Sequence, residues 1–139
     1  MKLNGSNVAD FVYGGKSTFT IRNVNTGNRF TYKFTRKKTL REGEEDVVFV
    51  KVLNGSDNES DYTFIGTVFG KSIFKHSSKS PFGADTQSSK AIGWVVKNLQ
   101  SLPQGIEVWH EGRCARCGRK LTVPESIESG FGPECGSRR

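Results

Sequence analysis

The strongest constraint on this chain lies in its tail. The segment reads His110-Glu-Gly-Arg-Cys114-Ala-Arg-Cys117-Gly118, and further on Gly132-Pro-Glu-Cys135. All three cysteines of the 139 residues fall between positions 114 and 135. A Cys-x-x-Cys pair followed by glycine has the form of a zinc knuckle. Its tight turn aims two thiolates at one ion, and the glycine lets backbone amides approach the sulfurs. A tetrahedral structural site takes four ligands. Cys135 supplies the third, and His110, four residues before Cys114, supplies the fourth, a Cys₃His site for Zn²⁺. The competing reading is three unrelated buried thiols and a surface histidine, since a free cysteine behaves as a small hydrophobe. Against it, the arginine, glycine, lysine and glutamate around these cysteines make a poor apolar core. A redox Cys-x-x-Cys normally opens a helix within a βαβ unit, and no such unit precedes this one.

The third cysteine has a local geometry of its own. Pro133 suits the first position of a helix, and Gly130 and Gly132 suit a turn before it. Cys135 then lies in a helix's first turn, where the dipole favours a thiolate. A knuckle facing a helix N-terminus is a treble-clef or ribbon-like arrangement. A second Cys-x-x-Cys would need cysteine at 138, where the chain has Arg138, so an upstream ligand is expected.

The string His110, Cys114-x-x-Cys117-Gly118-Arg119-x-Leu121-Thr122-x-Pro124-x-Ser126-Ile127, Gly130-x-Gly132-Pro133-x-Cys135 resembles a domain of unknown function common in small tailed-phage proteins and some bacterial ones. The resemblance covers about the final thirty residues. Upstream, Ser60–Gly66, a Ser/Lys-rich segment and a Trp-containing helix look like the part that precedes this finger in phage versions. It implies a phage or prophage origin and a metal-bound finger. It implies no activity.

Ahead of the tail the pattern is that of strands. Arg29–Arg36 alternates, with Phe30, Tyr32 and Phe34 on one face and Arg29, Thr31, Lys33 and Thr35 on the other, which puts the rings in a core. Thr18–Val24 reads as its partner across the turn Asn25–Asn28. Lys37–Asp46 is a charged connection, Val47–Leu53 an apolar strand, and Asn54–Asp61 a polar turn. Tyr62–Phe69 is a further strand that Lys71–Phe74 extends or pairs with. These short connections permit only antiparallel neighbours. The period then changes. Asp85 is the expected cap of a helix running to about Gln100, with Ala91, Ile92, Val95, Val96 and Leu99 on one stripe and Trp94 off it. Leu102-Pro103-Gln-Gly105 stops it, and Ile106–Trp109 leads extended into His110. The expected fold is α+β: an antiparallel meander covered by one helix (residues 1–105), followed by a small C-terminal zinc finger (106–139).

Ten Phe, three Tyr and two Trp suffice for one compact core. No apolar run reaches membrane-spanning length and no apolar signal segment opens the chain. The expected compartment is therefore cytoplasmic, where thiols stay reduced. The net charge of +7 is uneven: residues 1–41 carry nine Lys/Arg against one acid, 42–109 six against nine, and 110–139 six against four. A basic part of this kind suits an acidic partner, most commonly nucleic acid, although a solvated basic face balanced by the acidic middle is a serious competitor. The candidate contacts are Arg29, Lys33, Arg36, Lys37 and Lys38 in the basic hairpin and Arg113, Arg116, Arg119 and Lys120 in the knuckle. Base stacking by the rings of 30–36 is disfavoured because the alternation buries them. Trp94 and Trp109 are better candidates for exposed rings, although Trp109 could instead staple the finger to the sheet. Residues 75–90 form a Ser-rich loop with interspersed lysines, read either as a solvated connection or as a phosphate-contacting one. His76 there is expected to be a solvated loop histidine. With the metal's coordination closed, and no phosphate loop, dinucleotide fingerprint or Ser/His/Asp set, a non-enzyme is expected. Three classes survive: nucleic-acid binding, disabling of a host protein such as a defence nuclease or the transcription machinery, and a purely structural accessory.

Overall fold

The computed structural model describes residues 2–3, 7–37, 47–55, 60–110 and 112–118. Cys135, Lys38, Arg119 and Lys120 lie outside the described residues, as do the expected turn and helix around Pro133. The strands are β1 (Lys2–Leu3), β2 (Lys16–Asn23), β3 (Arg29–Arg36), β4 (Val47–Leu53), β5 (Tyr62–Phe69), β6 (Ile73–His76) and β7 (Ile106–His110). The helices are α1 (Asn7–Val12) and α2 (Gln87–Asn98). The seven strands form one antiparallel sheet in the order β1-β7-β2-β3-β4-β5-β6.

Strands β2 to β6 are the expected meander, but the meander is not the whole sheet. β7 returns to lie between β1 and β2, so the strand leading into the cysteine segment is itself a strand of the sheet. Among the described residues two helices, not one, contribute to the core. Helix α1 carries no legible period in the sequence, because its six residues make less than two helical turns. Its apolar Val8, Phe11 and Val12 nevertheless have the i, i+3, i+4 spacing of a helix face, and all three are buried.

Alternation decides the two faces of the sheet. Ser17, Phe19 and Ile21 of β2 stand opposite Phe34, Tyr32 and Phe30 of β3, and Phe34 and Tyr32 stand opposite Val50 and Val52 of β4. These residues join Ile65, Val68 and Val108, together with both helices, in a single core. Phe19 lies at its centre, 4.9 Å edge-on from Phe34 and 6.1 Å from Tyr32 between ring centres. Burial pushes the hydroxyl pKa of Tyr32 well up, and that of Tyr13 up to about 12. Both are hydrogen-bonded: Tyr32 donates to the Ser88 carbonyl at 2.6 Å, tying β3 to the first turn of α2, and Tyr13 donates to the Lys71 carbonyl at 3.3 Å. Buried Ser17 donates to the Val12 carbonyl at 2.6 Å and pins the end of α1 to β2.

Helix α2 buries Ile92, Val95 and Val96, and Trp94 is exposed as its position off the stripe predicted. Two boundaries differ from expectation. Thr86, not Asp85, is the N-cap, because the turn closed by the Thr86 amide onto the Gly83 carbonyl (3.2 Å) keeps Asp85 outside the helix. Leu99 stays buried but belongs to a tight 3₁₀ turn, Leu99–Ser101, rather than to α2. His76 is not a loop residue either. It ends β6, half-buried, with Nε2 donating to the Phe82 carbonyl at 2.6 Å. That bond folds the Ser-rich segment back on the sheet, where Phe82 packs against the core. Among the described residues no helix is long and apolar enough to cross a membrane.

Candidate functional site

Two regions collect the residues singled out from the sequence: the knuckle and the face of the sheet turned away from the helices.

The knuckle is docked on the sheet by backbone contacts. The Lys16 amide donates to the Ala115 carbonyl at 2.7 Å, and Ala115 is fully buried. Gly14 makes this possible, since a Cβ there would come within 2.7 Å of the Ala115 Cβ. The turn closes with the Gly118 amide donating to the Cys114 carbonyl at 2.8 Å, and Gly118 has φ +78°, the left-handed conformation that glycine adopts without strain. Cys114 is buried and Cys117 exposed. His110 lies on the core side of β7, opposite Phe19, 4 % exposed and 5.3 Å from the Phe11 ring. The Gly112 amide donates to its Nδ1 at 2.9 Å, so the neutral ring carries its proton on Nε2. Coordination through Nδ1 would displace this amide, and coordination through Nε2 would move the ring proton to Nδ1. The Cys-x-x-Cys pair closed by a glycine turn has the donor chemistry of a soft N/S-coordinated ion. Among the described residues, however, no three His, Cys, Asp or Glu side chains come together to hold one, so His110 is not brought into a set with Cys114 and Cys117.

The second region is the open face. The strand residues that alternate away from the core include the cations Lys2, Lys16, Arg22, Arg29, Lys33, Lys51 and Lys75. Among the described strand residues, the only carboxylate on this face is Glu107. It pairs with Lys2 at 3.2 Å and Arg22 at 3.6 Å, and it accepts the Trp109 indole N–H at 3.2 Å. The indole bond first, and then Lys2, hold the Glu107 carboxyl below the usual carboxylate range against some desolvation. A depressed carboxylate pKa stabilises the fold above the unfolded-state pKa, and this contribution is lost as pH falls through the folded value. Trp109→Phe should therefore raise the Glu107 pKa, read by following its carboxyl carbon by NMR through acid titration. An unchanged midpoint would refute the indole's leading role.

Of the candidate contacts, Arg29 and Lys33 lie on this face. Arg36 does not: it is in register with Val48 and so stands on the core side, at the rim, while Lys37 lies beyond the strand. Arg113 and Arg116 are exposed in the cysteine segment, where Arg113 donates from Nη1 to the Gly118 carbonyl at 3.3 Å. The sequence reading missed the rings of the open face, Phe49, Tyr62 and Phe64. In β4 the exposed Phe49 alternates with the buried Val48 and Val50, a pattern that the uniformly apolar character of Val47–Val50 hides. Trp109 is 36 % exposed on the same face. On the other side of the sheet, a cleft of about 360 Å³ opens beside Trp94, lined by Ile21, Phe30, Ala91, Val95 and Ile106.

A family of unknown function (DUF6011) matches residues 109–139. The likeness thus begins at Trp109, on the last strand of the sheet, and takes in the knuckle and the residues after it. Neither a curated protein nor a solved structure matches the chain. The matched segment sends Trp109 to the open face and His110 to the core, so it contributes to both regions at once.

Proposed function

We propose that this is a non-enzymatic accessory protein of phage or prophage type, acting in the bacterial cytoplasm. Its cysteine segment is a structural Zn²⁺ finger, and its open sheet face associates with nucleic acid. The phage reading rests on the likeness of the last thirty residues to small tailed-phage proteins. The finger reading rests on the knuckle: a Cys-x-x-Cys turn closed at Gly118 and docked through Ala115 against Gly14. His110, Cys114, Cys117 and Cys135 are the proposed ligands, and the ion's task is to hold the tail in one conformation.

The observation that carries the nucleic-acid reading is the charge of the open face. Lys33 stands directly opposite Lys51, and Arg29 directly opposite Arg22, whose guanidinium already pairs with Glu107 at 3.6 Å. Like charges facing each other across strands are destabilising. A polyanion seated on the face would remove that repulsion, with counterions released as lysine and arginine neutralise phosphates. Binding to a nucleic acid should therefore weaken linearly in log K against log salt. With four to seven phosphates engaged, the slope would be roughly −3 to −5 for a single strand. Lys33→Glu with Lys51→Glu should flatten the slope and abolish most of the affinity. A salt-independent complex would refute the reading.

The competing reading, an inhibitor of a host protein, draws on the cleft beside Trp94, whose apolar walls would take an apolar side chain. Purification from expressing cells with and without nuclease separates the two. A partner lost with nuclease favours the open face, and one retained favours the cleft.

A further inference from the structure

We infer that the ligand of the open face is single-stranded nucleic acid, laid across the strands with its bases on exposed rings and its phosphates on the lysines between them. This rests on the nucleic-acid reading above and narrows it. The register of the sheet sets out the rows. One row crosses from Lys2 through Trp109 to Thr20 and Thr31. The next crosses from Thr18 through Lys33 and Lys51 to Phe64. A third crosses from Lys16 through Thr35, Phe49 and Thr67 to Lys75. Each row holds a ring and at least one cation, and neighbouring strands are about 4.8 Å apart, so a ring is never more than a few strands from a charge.

The rings are placed for stacking rather than for a core. Phe49 is 38 % and Trp109 36 % exposed; directly opposite them across the strands stand Thr35 and Thr67 for Phe49, and Lys2 and Thr20 for Trp109. Phe49 and Phe64 meet edge to face at 6.4 Å, which leaves the two rings in different planes. The Lys33 ammonium lies 4.1 Å over the Tyr62 ring, and Lys75 lies 5.6 Å over Phe69, so cations already use ring faces here. The Trp109 indole is oriented by its N–H bond to Glu107. Duplex DNA or RNA hides its base faces, and a broad sheet face has no element that enters a groove, so a duplex would use only the lysines. A single strand uses both features. Stacking on aromatic side chains is tolerant of sequence because every base has a π-face.

The test uses the full chain and fluorescent 20-mers: a mixed-sequence DNA strand, the same RNA strand, and the DNA duplex, each at low and moderate salt. The single strands should bind at least about ten-fold more tightly than the duplex, and Phe49→Ala and Trp109→Ala should each weaken single-strand binding by about ten-fold. Trp109→Phe should largely retain it, which separates lost stacking from lost folding. Thermal unfolding of each variant accompanies the binding curves. In a Trp94→Phe background, quenching of Trp109 on binding gives a direct readout of stacking. Equal affinity for duplex with ring variants that bind normally would overturn the inference and leave the nucleic-acid reading standing. No binding to any of the three would overturn both.

Discussion

Phe19→Ala should lower folding stability by about 3–5 kcal/mol, the range for removing a buried aromatic ring. Phe19 has no exposed surface, and its ring is enclosed by Phe34 and Tyr32 on β3. It also stands opposite His110 on β7, so its removal empties the point where the meander meets the strand that carries the cysteine segment. A domain this size has about 5–15 kcal/mol of stability to lose, and the expected fall in midpoint is about 10–20 °C in a thermal melt. The control is Phe49→Ala. That residue has the same chemistry in the same sheet, but on the open face, where a cross-strand aromatic contact is worth roughly 0.2–1 kcal/mol. Two melts that shift equally would mean that the assignment of faces is wrong.

The other large effect concerns the metal. Native protein should contain one zinc per chain, and a strong chelator should destabilise it steeply, because structural Zn²⁺ contributes apparent binding energies of about 10–16 kcal/mol at neutral pH. The consequence should reach the sheet. Ala115 is buried against Gly14, and its carbonyl accepts the first amide of β2, so releasing the knuckle should deprotect the Lys16 amide in hydrogen exchange. Thiol chemistry gives a second readout. Cys117 is exposed, and as a free thiol it would react at once with a disulfide reagent, whereas as a ligand it should react only after chelation. Cys114→Ser should reproduce the effect of the chelator. Immediate reaction of Cys117 in untreated protein, with no stoichiometric metal by elemental analysis, would remove the finger from the account and leave the open face to be judged alone.

The strands were legible where period two was clean. Arg29–Arg36 appears with the boundaries its alternation predicts, because a half-buried strand needs one apolar face and the sequence writes it out, and Val47–Leu53 and Tyr62–Phe69 appear with the boundaries expected of apolar and aromatic runs set between polar segments. The stripe of α2 was legible for the same reason. The caps were less so. Asp85 and Thr86 are both good capping residues, and the choice between them was made by a hydrogen bond to Gly83 three positions away. Helix α1 and strand β1 were missed because elements this short carry no measurable period. Their stability comes from what they pack on, Ser17 holding the end of α1 and β7 holding β1.

The site divides along the same line. The spacing of the cysteines and the excess of basic residues near the start of the chain are properties of the sequence, and they alone suggested a metal and an anionic partner. Which cations share a surface is a property of register. Lys33 and Lys51 are eighteen positions apart in the chain and directly opposite in the sheet, while Arg36, three residues from Lys33, stands on the other side. The rings of β4 and β5 do not stand out in the sequence, because an apolar strand is the same string whether one face or both are covered. Local composition specified strands, stripe and knuckle, since each is encoded by neighbours in the chain. The return of β7 into the sheet, the burial of His110 and the open face of rings and lysines were decided by pairing between distant segments, which no local pattern encodes.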